Sequence, residues 1–184
     1  MGHLVTSRGK SSLGKKQLFA RAKRIRLVLT DVDGVLTDGG VYYSVSGEEM
    51  KRYSIRDGMG VVRLQERGIQ VGIVTREKTP IVTRRAEKLK ITLLYEGATD
   101  KLMVLREVAG KTGLDSASIA FIGDDVNDLE VLEEVGLSAS PRDAVPAVLS
   151  KVHYVCSRSG GNGAFREFAD FILEAQGHRK EPLL

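Results

Sequence analysis

Residues 27–39 read LVLTDVDGVLTDG, and this stretch decides the fold. Leu27–Thr30 form a short run with no charge, as expected of a strand buried on both faces of a parallel sheet. The run ends in Asp31, Val32, Asp33 and Gly34, two carboxylates two positions apart followed by a residue that lets the chain turn. Open α/β sheets bind ligands at the carboxyl ends of their strands, which puts both acids where chemistry occurs. The pattern returns at residues 119–128, IAFIGDDVND, where an apolar run again ends in acids.

Working outward, apolar segments rich in Val and Ile alternate with longer amphipathic ones, the signature of a sheet flanked by helices. Strands are expected at Leu27–Thr30, Val71–Val74, Thr92–Tyr95, Ile119–Ile122, Leu137–Ala139 and Val152–Val155. Helical periodicity covers Gly58–Glu66, Ile81–Leu89, Leu102–Lys111, Asn127–Glu134, Val145–Leu149 and Ala164–Glu174. Gly39–Tyr53 differs, with two extended arms around Gly47 that predict a β-hairpin. The fold class is α/β: a doubly wound, mainly parallel Rossmann-like sheet with a hairpin flap. A single domain is expected over 23–175, after a flexible basic leader (1–22) and before a short tail (176–184).

The 184 residues are 42% hydrophobic and 28% charged, ordinary values for a soluble globular chain. No apolar run approaches the roughly 20 residues that span a bilayer, and no secretory h-region opens the sequence. Cys156 is the sole cysteine and lies in the apolar stretch VHYVC, so it reads as a small core residue. A cytoplasmic location is the expectation, with no membrane partner. The net charge of +4 comes from residues 1–26, which hold eight Lys or Arg and no acid, leaving 20 basic against 24 acidic residues elsewhere. Phe19 is the one aromatic among those charges, too few to interleave with them for base stacking, so nucleic acid is not an expected partner.

Two acidic clusters at matching strand ends point to one cation site. Acids this close repel, and a divalent ion removes the conflict. Oxygen-only ligation suits Mg2+. Asp128 or Asn127 could also serve merely as a helix cap. Thr75 ends the second strand, where its hydroxyl and backbone N–H could hold a phosphoryl oxygen. Lys101 opens a helix, the unfavourable end of the dipole for a cation, which suggests an anionic partner. Together these groups describe phosphoryl transfer. Asp31 would attack phosphorus, Asp33 would serve as general acid and then base, and Lys101 with the metal would neutralise repulsion.

LVLTDVDGVLTDG, GIVT, Lys101 and IGDDVND, in that order, resemble the four motifs of the haloacid dehalogenase superfamily. By that resemblance the metal ligands are Asp31, the carbonyl of Asp33, and Asp124, with Asp125 or Asp128 in support. Asp33 lies 42 positions before Thr75, and Thr75 lies 26 before Lys101, so neither gap holds a cap domain. DVDGVLTDGGVYYSVSGEEMKRYSIRDGMGV and SRSGGNGAFREFADFIL are similar to the 3-deoxy-D-manno-octulosonate 8-phosphate phosphatases and their sialic-acid-pathway relatives. The resemblance implies a sugar phosphate substrate and a capless homotetramer whose sites are completed by neighbouring subunits. Arg56, Gly160, Gly161 and Arg166 match its motifs on the substrate side. After Thr75 this chain has Arg76-Glu77-Lys78 where the octulosonate branch usually has Gly-Arg. EKTPIVTRRAEKLKI is instead similar to the nonulosonate 9-phosphate branch, with Glu77, Arg85 and Lys88 as pocket residues. The octulosonate 8-phosphate is the expected substrate and the nonulosonate 9-phosphate the alternative.

Other classes fit less well. A receiver domain, also phosphorylated on Asp, places its Lys last, whereas Lys101 precedes the second acidic cluster. Leu4 and Leu105 stand where the GK[ST] segments would need the first P-loop glycine. Val35 occupies the third ligand position of an EF-hand loop. A phosphomutase would need a cap to retain its intermediate.

Overall fold

The computed structural model describes residues 13–178. Six strands, β1 (Leu27–Thr30), β4 (Gln70–Val74), β5 (Leu93–Tyr95), β6 (Ile119–Ile122), β7 (Leu137–Ser140) and β8 (Tyr154–Val155), form one sheet in the order β5-β4-β1-β6-β7-β8. Every ladder in it is parallel. The strand order reverses at β1, so the crevice beyond its carboxyl end, between β4 and β6, is the natural ligand site. The hairpin is β2 (Thr37–Ser44) paired antiparallel with β3 (Gly47–Tyr53), outside the main sheet.

Alternation along the strands divides the interior into two cores. Val28, Val71, Ile73, Ala120 and Ile122 face one side, under α2 (Ile55–Glu66), α3 (Pro80–Lys88) and α7 (Ala164–Ala175). Leu27, Leu29, Val74, Ile119 and Phe121 face the other, under α4 (Lys101–Thr112), α5 (Leu129–Glu134) and α6 (Pro146–Leu149). A strand with one residue of each pair in each core needs apolar side chains throughout, hence the uninterrupted runs. Phe121, Phe165 and Phe168 are fully buried, each stabilising by about 1.5–3 kcal/mol relative to exposure. Cys156 is buried too, its Sγ 3.4 Å from the carbonyl of Ala164, and burial pushes its thiol well above the usual range. The core reading of Cys156 fits.

Three boundaries differ from expectation. Lys15–Ala22, inside the stretch expected as a flexible leader, form a helix, α1. It is held by Phe19 edge-on to Phe171 at 5.4 Å and by Arg21 donating to the carbonyl of Gly136. Residues 1–12 of that leader lie outside the described residues. The second helix starts at Ile55 rather than Gly58, because the Ser54 side chain accepts from the N–H groups of Arg56 and Asp57. The last strand shrinks to Tyr154–Val155, though ladder bonds from His153 and Cys156 flank it.

One buried acid ties distant segments together. Asp57, at the start of α2, accepts from the N–H groups of Gly163 (3.0 Å) and Arg166 (2.9 Å), capping α7 from outside its own chain segment. Glu167, on α7, accepts from Ser157 N–H and Oγ, Arg158 N–H and the Tyr154 hydroxyl. Burial alone would raise its pKa, but these bonds outweigh it and the net shift is downward. A carboxylate so held contributes stability above its unfolded pKa and loses it as pH falls through the folded one. Glu167→Gln should therefore lower the urea midpoint by a constant amount above about pH 5, and the gap from wild type should narrow at lower pH. A gap unchanged down to pH 3 would contradict this assignment.

Candidate active site

The two acidic strand ends meet. β1 and β6 are adjacent, and the Asp31 N–H donates to the carbonyl of Ile122. Ligand oxygens of Asp31, Asp124 and Asp128 lie within 4.8 Å of one another. The approach requires Gly34: a Cβ there would sit 2.0 Å from Asp124 Oδ2, and its φ of +78° is left-handed.

Lys101 anchors the cluster from the first turn of α4. Its Nζ lies 2.8 Å from Asp31 Oδ2 and 2.5 Å from Asp128 Oδ1, with almost no exposure. Burial alone would lower its pKa, but the two carboxylates overcome that and hold the ammonium charged. The positive end of the helix dipole is tolerable here because two anions face the ammonium, and Asp100 accepts from Met103 N–H as the cap.

One ammonium cannot satisfy three acids. Asp31 is pushed up to about 7, by burial first and then by Asp128, with Lys101 opposing. Asp124 is pushed up to about 8, by burial and then by Asp31, Asp128 and Asp125. The cluster is short of positive charge, its donors are all carboxylate oxygens, and it borders open space. A hard divalent cation fits that donor set.

Of the two supporting acids left open, the structure distinguishes roles. Asp128 is fully buried, and its Oδ2 accepts from the N–H groups of Asp124 and Asp125 while Oδ1 takes Lys101. Asp125 is exposed, and its Oδ1 accepts from Val126 N–H, capping the 3-10 turn Val126–Asp128. Both acids thus take part in capping this turn, and Asp128 alone of the two also pairs with Lys101.

Asp33 turns away from the cluster. Both its oxygens contact Lys51 Nζ, at 2.8 and 2.7 Å, with Thr37 Oγ1 3.4 Å from Oδ1. Sequence reading missed Lys51, because a lysine in a hairpin strand carries no signal of where it reaches. Thr75 is buried at the end of β4, but its N–H is taken by the carbonyl of Tyr95. The expectation that this N–H could hold a phosphoryl oxygen therefore fails. Tyr95, the last residue of β5 and the partner of Val74, consumes the donor, leaving the hydroxyl, which accepts from Glu77 N–H at 3.3 Å.

A cleft of about 390 Å³ opens over these groups, lined by Asp31, Asp33, Thr75, Glu77, Asp124 and Asp125 among others. The remaining substrate-side expectations lie off it within one chain. Gly160 and Gly161 pack beneath the loop that follows β1, where a Cβ on Gly160 would overlap the Gly34 carbonyl. Arg85 donates to the Ser54 carbonyl and lies 5.1 Å from the Tyr53 ring, and Lys88 is exposed at the far end of α3. Arg56 and Arg166 border a separate cavity of about 610 Å³ beside α7, where Arg166 Nε pairs with Asp170 at 2.9 Å.

Comparison with known proteins agrees with this geometry. A family model described as haloacid dehalogenase-like hydrolase matches residues 88–167. A curated 3-deoxy-D-manno-octulosonate 8-phosphate phosphatase, KdsC, from Yersinia pestis is 44% identical over 159 residues, 86% of this chain and 85% of that protein. The crystal structure of such a phosphatase from Moraxella catarrhalis, in complex with magnesium ion, phosphate ion and KDO, superposes with a TM-score of 0.87. It is 35% identical, over 89% of this chain and 94% of that one. The cobalt-bound deoxy-D-mannose-octulosonate 8-phosphate phosphatase of Haemophilus influenzae gives a TM-score of 0.84 at 39% identity, over 85% and 92%.

Proposed function

The chain belongs to the 3-deoxy-D-manno-octulosonate 8-phosphate phosphatase family of haloacid dehalogenase-like hydrolases, and on that footing we propose that it hydrolyses the 8-phosphate of this acidic sugar through an aspartyl phosphate on Asp31. The observation that carries the reading is the buried Asp31–Lys101–Asp128 array facing Asp124 across an open cleft.

Asp31, held at a fixed angle by Lys101 and by the Val32 N–H on its Oδ1 (2.7 Å), attacks phosphorus. The bond from phosphorus to the sugar oxygen breaks, and Asp33 gives that oxygen a proton. Asp33 then takes a proton from water, which attacks the same phosphorus and releases Asp31. The Thr75 hydroxyl steadies a phosphoryl oxygen. Asp31, the carbonyl of Asp33 and Asp124 would hold Mg2+, with Asp128 bracing the loop. When bound, the ion supplies the positive charge that lets an anionic nucleophile approach an anionic phosphate.

Of the three positions shared with the nonulosonate branch, Glu77 alone borders the cleft, while Arg85 and Lys88 do not. Arg56 and Arg166 lie off it as well, so what supports the octulosonate over the nonulosonate 9-phosphate is the identity to curated octulosonate 8-phosphate phosphatases. A homotetramer completes the reading. Tyr42, Tyr43, Val45 and Met50 leave an exposed apolar surface on the hairpin, continued by Ile55 and Met59. Arg56 and Arg166, remote from their own cleft, are then available to a neighbour's.

Asp31→Asn should abolish turnover without changing the fold, since the amide is nearly isosteric but a poor nucleophile. Chelation with EDTA should silence the wild type and Mg2+ restore it; comparable turnover by the variant, or full activity in EDTA, would refute the mechanism. The ratio of kcat/KM for octulosonate 8-phosphate to that for nonulosonate 9-phosphates should exceed about 100, well below the roughly 10⁴–10⁵ that a site built of polar contacts can reach. A ratio below one would reassign the branch. Light scattering should give four times the chain mass, and a monomer would remove the neighbour from the site.

A further inference from the structure

Lys51 is among the most deeply buried charges described, its side chain about 1% exposed, and no step above uses it. It reaches Asp33 from β3, across 18 positions of sequence, and contacts both carboxylate oxygens. The hairpin geometry that delivers it is irregular. Val41 pairs with Lys51 and Tyr42 with Met50, but Tyr43 pairs with Glu48, so Glu49 is an extra residue in the ladder. Such a bulge turns neighbouring side chains onto one face. Here it brings Glu48 Oε1 within 3.7 Å of Lys51 Nζ, giving the buried ammonium a second anion.

Buried ion pairs are weak sources of stability, because desolvation offsets most of the attraction. What this one supplies is direction. Asp33 lies two residues from Asp31, beside a cluster already crowded with acids, and its free side chain has several staggered choices. The ammonium fixes it in one, with neither oxygen in the Asp31–Asp124–Asp128 group.

We propose that Lys51 is a positioning residue for proton transfer: from the hairpin it clamps the Asp33 carboxylate outside the acidic cluster, in the orientation that both halves of the reaction need. The same oxygen must reach the leaving group first and the water second, so position serves each step. Lys51 itself gives up no proton, and its contact is with Asp33 rather than with the sugar phosphate or the attacking water. This rests on the reading of Asp33 as the proton-transfer group, and the test separates the two.

The probes are an alkyl phosphate, whose leaving oxygen needs a proton, and p-nitrophenyl phosphate, whose phenolate leaves without one. kcat/KM reports the first irreversible step, so it isolates leaving-group departure. Lys51→Met should lower it about 10–100-fold on the alkyl ester, part of the usual general-acid contribution, and less than about threefold on the aryl ester. In an Asp33→Asn background the same substitution should cost no more than about twofold, because residues acting as one unit are not additive. Equal losses on both esters, or losses that multiply with Asp33→Asn, would overturn the proposal. If Asp33→Asn itself spares the alkyl ester, the reading of Asp33 falls instead. Lys51→Gln, which keeps a donor at similar length, is judged by the same criteria if the Met variant does not fold.

Discussion

The rest of the site depends on a charge imbalance. Three carboxylates converge at the ends of two adjacent strands, and one buried ammonium stands among them. Were Lys101 absent, Asp31 and Asp128 would be buried acids with no cation, a state that costs several kcal/mol or forces protonation. Were a second lysine present, a single negative charge would remain and the demand for a divalent ion would be halved. A single ammonium leaves Asp31 and Asp124 with raised proton affinity and a shared appetite for positive charge. That residual demand is what a divalent ion can satisfy, and the ion's charge is in turn what admits an anionic phosphate.

Keeping the acids close requires backbone to pass where side chains normally would. Gly34 admits Asp124, and Gly160 and Gly161 let a second loop slide beneath the first, with the Gly161 N–H donating to Val35 O at 2.9 Å. That second loop is pinned from three sides. Asp143 accepts from Gly160 N–H, Arg52 donates to Asn162 and to the Gly161 carbonyl, and Asp57 holds Gly163. Gly160 and Gly161 thus also support the loop that carries Asp31 and Asp33, a use that motif resemblance alone does not reveal.

Much of this was legible from the sequence because it depends on period and position. The uninterrupted runs at Leu27–Thr30 and Ile119–Ile122 signal strands buried on both faces, and the acids that follow them had to share one edge. What escaped notice depends on tertiary reach. α1 was obscured by its basic composition, although Phe19 and Ala22 give it an inward face. The Thr75 N–H looked available because nothing local shows that β5 runs far enough to take it. The contacts of Arg85 with the Ser54 carbonyl and the Tyr53 ring, at the hairpin end, carry no local signal either. Lys51 was invisible for the same reason, since its target lies in another element.

The placement of Lys101 also bears on how the molecule breathes. Helix ends are ordinarily where local opening begins, because their first N–H groups lack partners and few contacts hold them. The opening turn of α4 cannot unwind without pulling a buried ammonium from between two carboxylates. The N–H groups of that turn that have acceptors, Met103 on Asp100 Oδ1 and Val104 on the Asp100 carbonyl, are accordingly held as firmly as those of the helix middle, making the start of α4 a rigid post rather than a frayed tip.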